Sequence, residues 1–157
     1  MDGRVKPGQD DEKMSALSVA SSKLVGTWQL LSCKFELADT GGAVDMYGPD
    51  PLGYLILTAE GRLMVLQTAR DRPPPRNDAD LAELFKSLIA YTGRYRVEGN
   101  DRFVTDVDVA WHPAWLGTEQ ARAFTLEGDV LAIATLGMSH PNFPGRSGRA
   151  VLRWKRA

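Results

Sequence analysis

Gly26-Thr27-Trp28, near the start of the chain, has a counterpart in Trp154-Lys155-Arg156 at its end. The two triplets meet only if the first and last strands of one sheet pair, which closes the sheet into a barrel. In a small antiparallel barrel an aromatic side chain plugs the closed end, and a terminal arginine lies over its face in a cation–π contact worth roughly 0.5 to 2 kcal/mol. Gly26, Trp28 and Arg156 are therefore expected to form the barrel closure.

Working inward from these ends, apolar alternation and turn signals predict about eight strands, roughly 24–37, 53–59, 62–69, 91–98, 102–111, 120–127, 130–138 and 149–156. Glu60-Gly61, Gly99-Asn100-Asp101 and Gly128-Asp129 read as tight hairpin turns, whereas residues 38–52, 70–90, 112–119 and 139–148 form long connections. In an up-and-down meander every second connection falls at the same end. The tight turns then close one rim, and the long connections gather at the other as a mouth. The same alternation puts the first strand's start and the last strand's end at the closed rim, in agreement with the paired triplets.

The long connection between the third and fourth of these strands carries one helix. Leu81, Leu84, Phe85, Leu88 and Ile89 form a single apolar stripe, with Asn77 or Asp78 placed to cap it, and the helix is expected to pack across the barrel. Arg72-Pro73-Pro74-Pro75-Arg76 before it is a stiff extended lead-in.

The chain has 157 residues with 43% hydrophobic content, enough for one domain with a substantial core. Nineteen basic and twenty acidic residues give a net charge of -1, which supplies no broad field for nucleic acid or an anionic membrane surface. The single cysteine, Cys33, excludes an intramolecular disulfide and fits a reducing compartment, so the cytoplasm is the expected location. Residues 1–22 have no continuous apolar run and read as a disordered tail, with Met14 an alternative start, ahead of a barrel domain over 23–157. The sequence carries no signal for oligomeric state.

The chain resembles the bacterial and fungal lipocalin-like domain family, a calycin-type barrel group. The resemblance covers residues 24–156 and rests on Leu24-Val25-Gly26-Thr27-Trp28, Tyr47-Gly48-Pro49-Asp50-Pro51, Gly53-Tyr54-Leu55-Ile56, Thr58-Ala59-Glu60-Gly61-Arg62, Ile89-Ala90-Tyr91-Thr92-Gly93, Gly117-Thr118-Glu119-Gln120 and Trp154-Lys155-Arg156. It implies a single all-β barrel with an inserted helix, in a family whose members mostly lack an assigned biochemical activity. It supplies no catalytic set.

The residues themselves nominate a site. Tyr47, Tyr54, Tyr91, Tyr95, Trp111, Trp115 and Phe143 can line a cavity and its rim, and tyrosine suits a mostly apolar ligand bearing a few oxygens. On the fifth strand Phe103, Thr105, Val107, Val109 and Trp111 should face inward and Asp106 and Asp108 outward, unless a bulge turns the carboxylates into the cavity. Arg122 shares its face with Phe124, so it points inward if Phe124 does. It must then pair with Asp106 or Asp108 or grip an anionic ligand group. His112 and His140 fall in mouth connections. With Asp50 or Asp71 they have no diagnostic metal spacing, so neither metal nor cofactor is expected.

Three functions stay open: binding of a small hydrophobic or amphipathic molecule by an intracellular carrier or sensor; an isomerase, cyclase or hydratase using Asp108, His112 and Arg122; and a filled barrel acting as an interaction module through the arginine-rich stretch 146–156.

Overall fold

The computed structural model describes residues 20–157 except 137, 140–144 and 146. Eight long strands form an antiparallel meander: β1 (Gly26–Leu37), β3 (Leu52–Leu57), β4 (Arg62–Thr68), β5 (Leu88–Glu98), β6 (Arg102–Ala110), β7 (Glu119–Glu127), β8 (Val130–Thr135) and β10 (Ser147–Arg156). Two short strands, β2 (Ala43–Asp45) and β9 (Met138–Ser139), pair on the mouth-side ends of β1 and β10. The sheet closes because β1 also pairs with β10, in a register that sets Trp28 opposite Arg156 and Leu30 opposite Trp154.

The closed end is assembled as the paired triplets imply. Trp28 is fully buried, and the Arg156 guanidinium lies 4.2 Å from its ring centroid. Arg156 also donates to the carbonyls of Val25 at 3.1 Å and Lys23 at 2.8 Å, while Trp28 Nε1–H donates to the Leu24 carbonyl at 2.9 Å. Gly26 makes this possible. Its φ of +142° is a region that side chains rarely adopt, and a Cβ there would sit 2.8 Å from Arg156 Nη1. A helical turn over residues 20–24 leads into β1, so the expected start of the domain at residue 23 falls inside that turn.

Strand alternation puts Leu55, Leu57, Leu63, Val65, Leu131, Ile133, Leu152 and Trp154 in the interior. Two bulges reset this alternation. In β1 the register shifts at Leu31, which is 45% exposed, so Trp28 and Leu30 before it and Cys33 and Phe35 after it all face inward. In β6 the register shifts opposite Thr92 and Gly93, with Asp108 the extra residue. Val107 is buried, whereas Val109 points outward at 62% exposure, contrary to the inward placement expected from strict alternation. Gly93 accommodates this step, because a Cβ there would collide with the Asp106 carbonyl.

The helix differs from expectation in extent and place. It is α1 (Asp78–Lys86), capped by Asn77, whose side chain accepts from Asp80 N at 2.9 Å. Leu88 and Ile89 belong to β5 instead, since the chain must turn into the ladder opposite Gln67 and Thr68. Because β2 adds a strand inside the first long connection, α1 follows the fourth strand rather than the third. No α1 residue is fully buried, and Leu81 and Phe85 remain exposed, so the helix overhangs the rim instead of packing across the barrel.

Candidate functional site

An apolar cavity lies between the closed end and the mouth. Cys33, Leu55, Leu63, Val65, Ile133 and Trp154 are among its wall residues, and Tyr47, Tyr91, Trp115 and Arg122 line it from the mouth side. Its volume is about 50 Å³. That is room for a few water molecules and falls short of the roughly 300 to 1,000 Å³ of small-molecule sites. A ligand would therefore straddle cavity and mouth, with the mouth side chains as part of its wall.

The Tyr47-Gly48-Pro49-Asp50-Pro51 segment carries Tyr47 to the lip at 4% exposure. Gly48 has φ +77° and Asp50 φ +121°, and Arg70 Nε holds Asp50 at both its carbonyl, 3.0 Å, and its carboxylate, 2.9 Å. Burial raises the Tyr47 hydroxyl above the ordinary tyrosine range, and nearby Cys33 and Tyr91 push the same way. Cys33 behaves alike: burial first, then the Asp45 carboxylate, push its thiol up to about 12. Both groups are neutral at physiological pH, which suits an apolar wall.

Also at the mouth, Trp115 sits in a short 3-10 turn, Pro113–Trp115. Its ring lies 5.2 Å from both Tyr91 and Trp111, and the Trp111 ring lies 5.9 Å from His112, which reaches Phe85 of α1 at 5.8 Å. An aromatic ladder thus links the overhanging helix to the cavity. The Arg122 guanidinium lies 6.0 Å from the Trp115 ring centroid. A hydrogen-bond relay runs beneath: Arg122 Nη2 donates to Gln120 Oε1 at 3.3 Å, Gln120 Nε2 to Thr118 Oγ1 at 2.8 Å, and Thr118 Oγ1 to the Trp115 carbonyl at 2.7 Å.

The expected site residues divide. Tyr47, Tyr91, Trp115 and Arg122 converge on the cavity, with Trp111 half-buried behind Trp115. Tyr54 does not: it alternates with Leu55 and faces outward at 51% exposure. It stands there beside Leu52, Ile56, Met64 and Leu66, all exposed on the outer face of β3 and β4. Tyr95 is buried near the closed end, its hydroxyl donating to the Thr58 carbonyl at 2.9 Å, and it is not part of the cavity wall. Phe143 and His140 lie outside the described residues.

The acid–base set of Asp108, His112 and Arg122 is not brought together. Although a bulge does occur at Asp108, it leaves the carboxylate on the outer surface, bound by Arg62 Nη1 at 2.9 and 3.0 Å. His112 is committed to the backbone, its Nδ1 accepting from Ala114 N at 3.1 Å as the cap of the 3-10 turn. Asp106 also faces outward, toward Arg96 at 3.4 Å, so neither aspartate pairs with Arg122 as one reading of the sequence required. Gln67 was missed by the sequence reading: a polar residue on the inward face of a strand, buried and lining the cavity with Oε1 unpartnered among the described residues. Its alternation with Leu63 and Val65 was the available signal. Among the described residues no group of three or more His, Cys, Asp and Glu could hold a metal ion, and no helix is long and apolar enough to cross a membrane.

Fold and site together define an eight-stranded antiparallel barrel closed at one end, with an apolar cavity open at the other. The family profile of the lipocalin-like domain matches residues 25–157, and the chain belongs to that family. It is 30% identical over 87 residues to the 4'-hydroxy-3'-methoxypropiophenone carrier protein ppsC of Aspergillus oryzae (strain ATCC 42149 / RIB 40), a match covering 50% of this chain and 76% of that relative. Among solved structures, a redesigned beta barrel is similar at a TM-score of 0.44 and 16% identity, over 88% of this chain and 95% of that one.

Proposed function

We propose that this barrel reversibly binds a small, mostly apolar and aromatic molecule in its cavity and mouth, as an intracellular carrier or sensor. The observation that carries the reading is the cavity itself, in which Tyr47, Tyr91, Phe103 and Trp115 surround space continuous with the mouth. Aromatic walls with few polar atoms suit a ring-bearing ligand with one or two oxygens. The cargo for which the Aspergillus oryzae relative is named, an aryl ketone with hydroxyl and methoxy groups, belongs to that chemical class. The buried, unbridged thiol of Cys33 supports a cytoplasmic setting.

Trp115 and Trp154 both line the cavity, so occupancy should change intrinsic tryptophan fluorescence. Titration with a panel of neutral aryl ketones and phenols should give saturable quenching or a spectral shift, with one equivalent bound by calorimetry. Absence of saturable binding across the panel and by aryl carboxylates alike would overturn the reading.

A further inference from the structure

Arg122 is 8% exposed, lines the cavity, and takes part in none of the ion pairs among the described residues. Its guanidinium donates to the carbonyl of its own neighbour Ala121 at 2.9 Å and to Gln120 Oε1 at 3.3 Å. Both acceptors are neutral. A guanidinium offers five N–H donors and stays charged at any physiological pH, so a full positive charge is buried against neutral groups only. Such a group is costly unless something anionic meets it. Two further buried atoms of the cavity wall have no partner among the described residues, the acceptor Gln67 Oε1 and the donor Trp154 Nε1. The lining is thus provided with more hydrogen-bonding capacity than the protein itself uses.

We propose that Arg122 is an anion-binding residue inside the cavity and that the ligand is a compact aromatic acid, its carboxylate paired with the guanidinium and its ring among Tyr91, Phe103 and Trp115. The proposal rests on the cavity-binding reading above and specifies the ligand's charge. A planar carboxylate matches the guanidinium fork in two parallel hydrogen bonds, which a ketone or alcohol cannot do. Two of the three contacts that hold Arg122 in place are adjustable, a side-chain amide and a ring at the outer limit of cation–π distance, and the third is the carbonyl of its own neighbour Ala121. Through Gln120 and Thr118 the same arginine is tied to the Trp115 carbonyl, so capture of an anion would be felt at the lip.

Cinnamate, its neutral near-isostere cinnamamide, and propiophenone as an uncharged apolar probe test this by calorimetry at low salt. The wild-type protein should bind cinnamate at least about tenfold more tightly than cinnamamide, as expected for a charge-assisted pair. Arg122→Gln should erase that preference and keep its affinity for the amide, with a melting temperature equal to or above that of the wild type. Arg122→Lys should retain part of the preference. Equal affinity for acid and amide in the wild type, or a preference that persists in Arg122→Gln, overturns the proposal. The wild-type comparison does so without relying on any variant to fold. If propiophenone binds and cinnamate does not, the anion site fails while the cavity reading stands; if none of the three binds, nor any of the neutral panel, both fail.

Discussion

Each end of the barrel places an arginine over a tryptophan, and the two pairs are built differently. At the closed end Arg156 lies 4.2 Å from the Trp28 ring centroid and donates to two backbone carbonyls, while Trp28 is fully buried with its own N–H satisfied. At the mouth Arg122 lies 6.0 Å from Trp115 and donates to the adjacent Ala121 carbonyl at 2.9 Å and to an amide at 3.3 Å, and Trp115 is only half-buried on a rim turn. Arg156 thus ties the two ends of the chain together through fixed carbonyls, whereas Arg122 is held only by its own neighbour and by a side-chain amide that can turn away. One pair therefore contributes stability, and the other carries a buried charge that the fold alone does not explain. Residues whose presence opposes stability are expected where a protein binds or reacts.

The comparison can be broken first at the closed end. Trp28→Ala should cost about 3 to 5 kcal/mol, the range for truncating a large buried aromatic, measured by urea denaturation. Trp115→Ala, removing a half-buried rim residue, should cost well under half as much while altering the fluorescence response to ligands. Similar losses at both sites would mean that the mouth is packed as firmly as the base.

Alkaline titration sharpens the contrast from the mouth side. The Cys33 thiol has an ordinary value of 9.0 and is held at about 12 in the fold. Between these values the unfolded chain loses a proton that the native state keeps, so stability falls as pH rises. The contribution is fully present below pH 9 and is lost as pH climbs toward about 12, an effect on the order of a few kcal/mol. Tyr47, also raised by burial, adds to the slope above its ordinary value of 10.0. Cys33→Ala should flatten the decline measured by denaturation at pH 9 to 11; an unchanged slope would show that the thiol is better solvated than its 2% exposure implies.

At the third level the two arginines are compared directly. Gly26→Ala meets both a φ of +142° and the Arg156 guanidinium at 2.8 Å, and should cost about 1 to 3 kcal/mol. Arg156→Met, which deletes the cation–π contact and two hydrogen bonds to carbonyls, should cost about 1 to 2 kcal/mol. Arg122→Met, replacing an unpaired buried charge by an apolar side chain of similar length, should be neutral or stabilising. Thermal melts of the two variants side by side should therefore move in opposite directions or only one should move.

The closure was legible because it depends on paired local signals: a Gly-x-Trp at one end, a Trp-x-Arg at the other, and connections that alternate between short and long. These survive in sequence because turn chemistry and strand alternation are local. Alternation failed where the backbone inserted a residue. The bulge at Leu31 keeps Cys33 and Phe35 inward, and the one at Asp108 sends Val109 outward, yet neither has a distinct local signature. The helix was legible in existence and cap but not in extent, because Leu88 and Ile89 continue the helical stripe while cross-strand pairing with Gln67 and Thr68 claims them for β5. The site was half legible. Parity placed Arg122 beside Phe124 and the aspartates of the neighbouring strand on the other face, but whether a bulge turned a carboxylate back toward Arg122 was open, and only the assembled sheet decides it.

Those aspartates give the smallest expected effect and a control for the arginines. Asp108 meets Arg62 on the outer face, with side chains 49% and 40% exposed, in a pair that solvent and salt screen. Asp108→Asn should change stability by no more than about 1 kcal/mol, and less at high salt. It should leave the affinity for any cavity ligand unchanged, since its carboxylate lies on the other side of the sheet from the cavity wall. A variant that instead lost binding would place the carboxylate's influence inside the barrel, and the division, among the described residues, between an outer, screened set of ion pairs and an inner arginine in none of them would no longer hold.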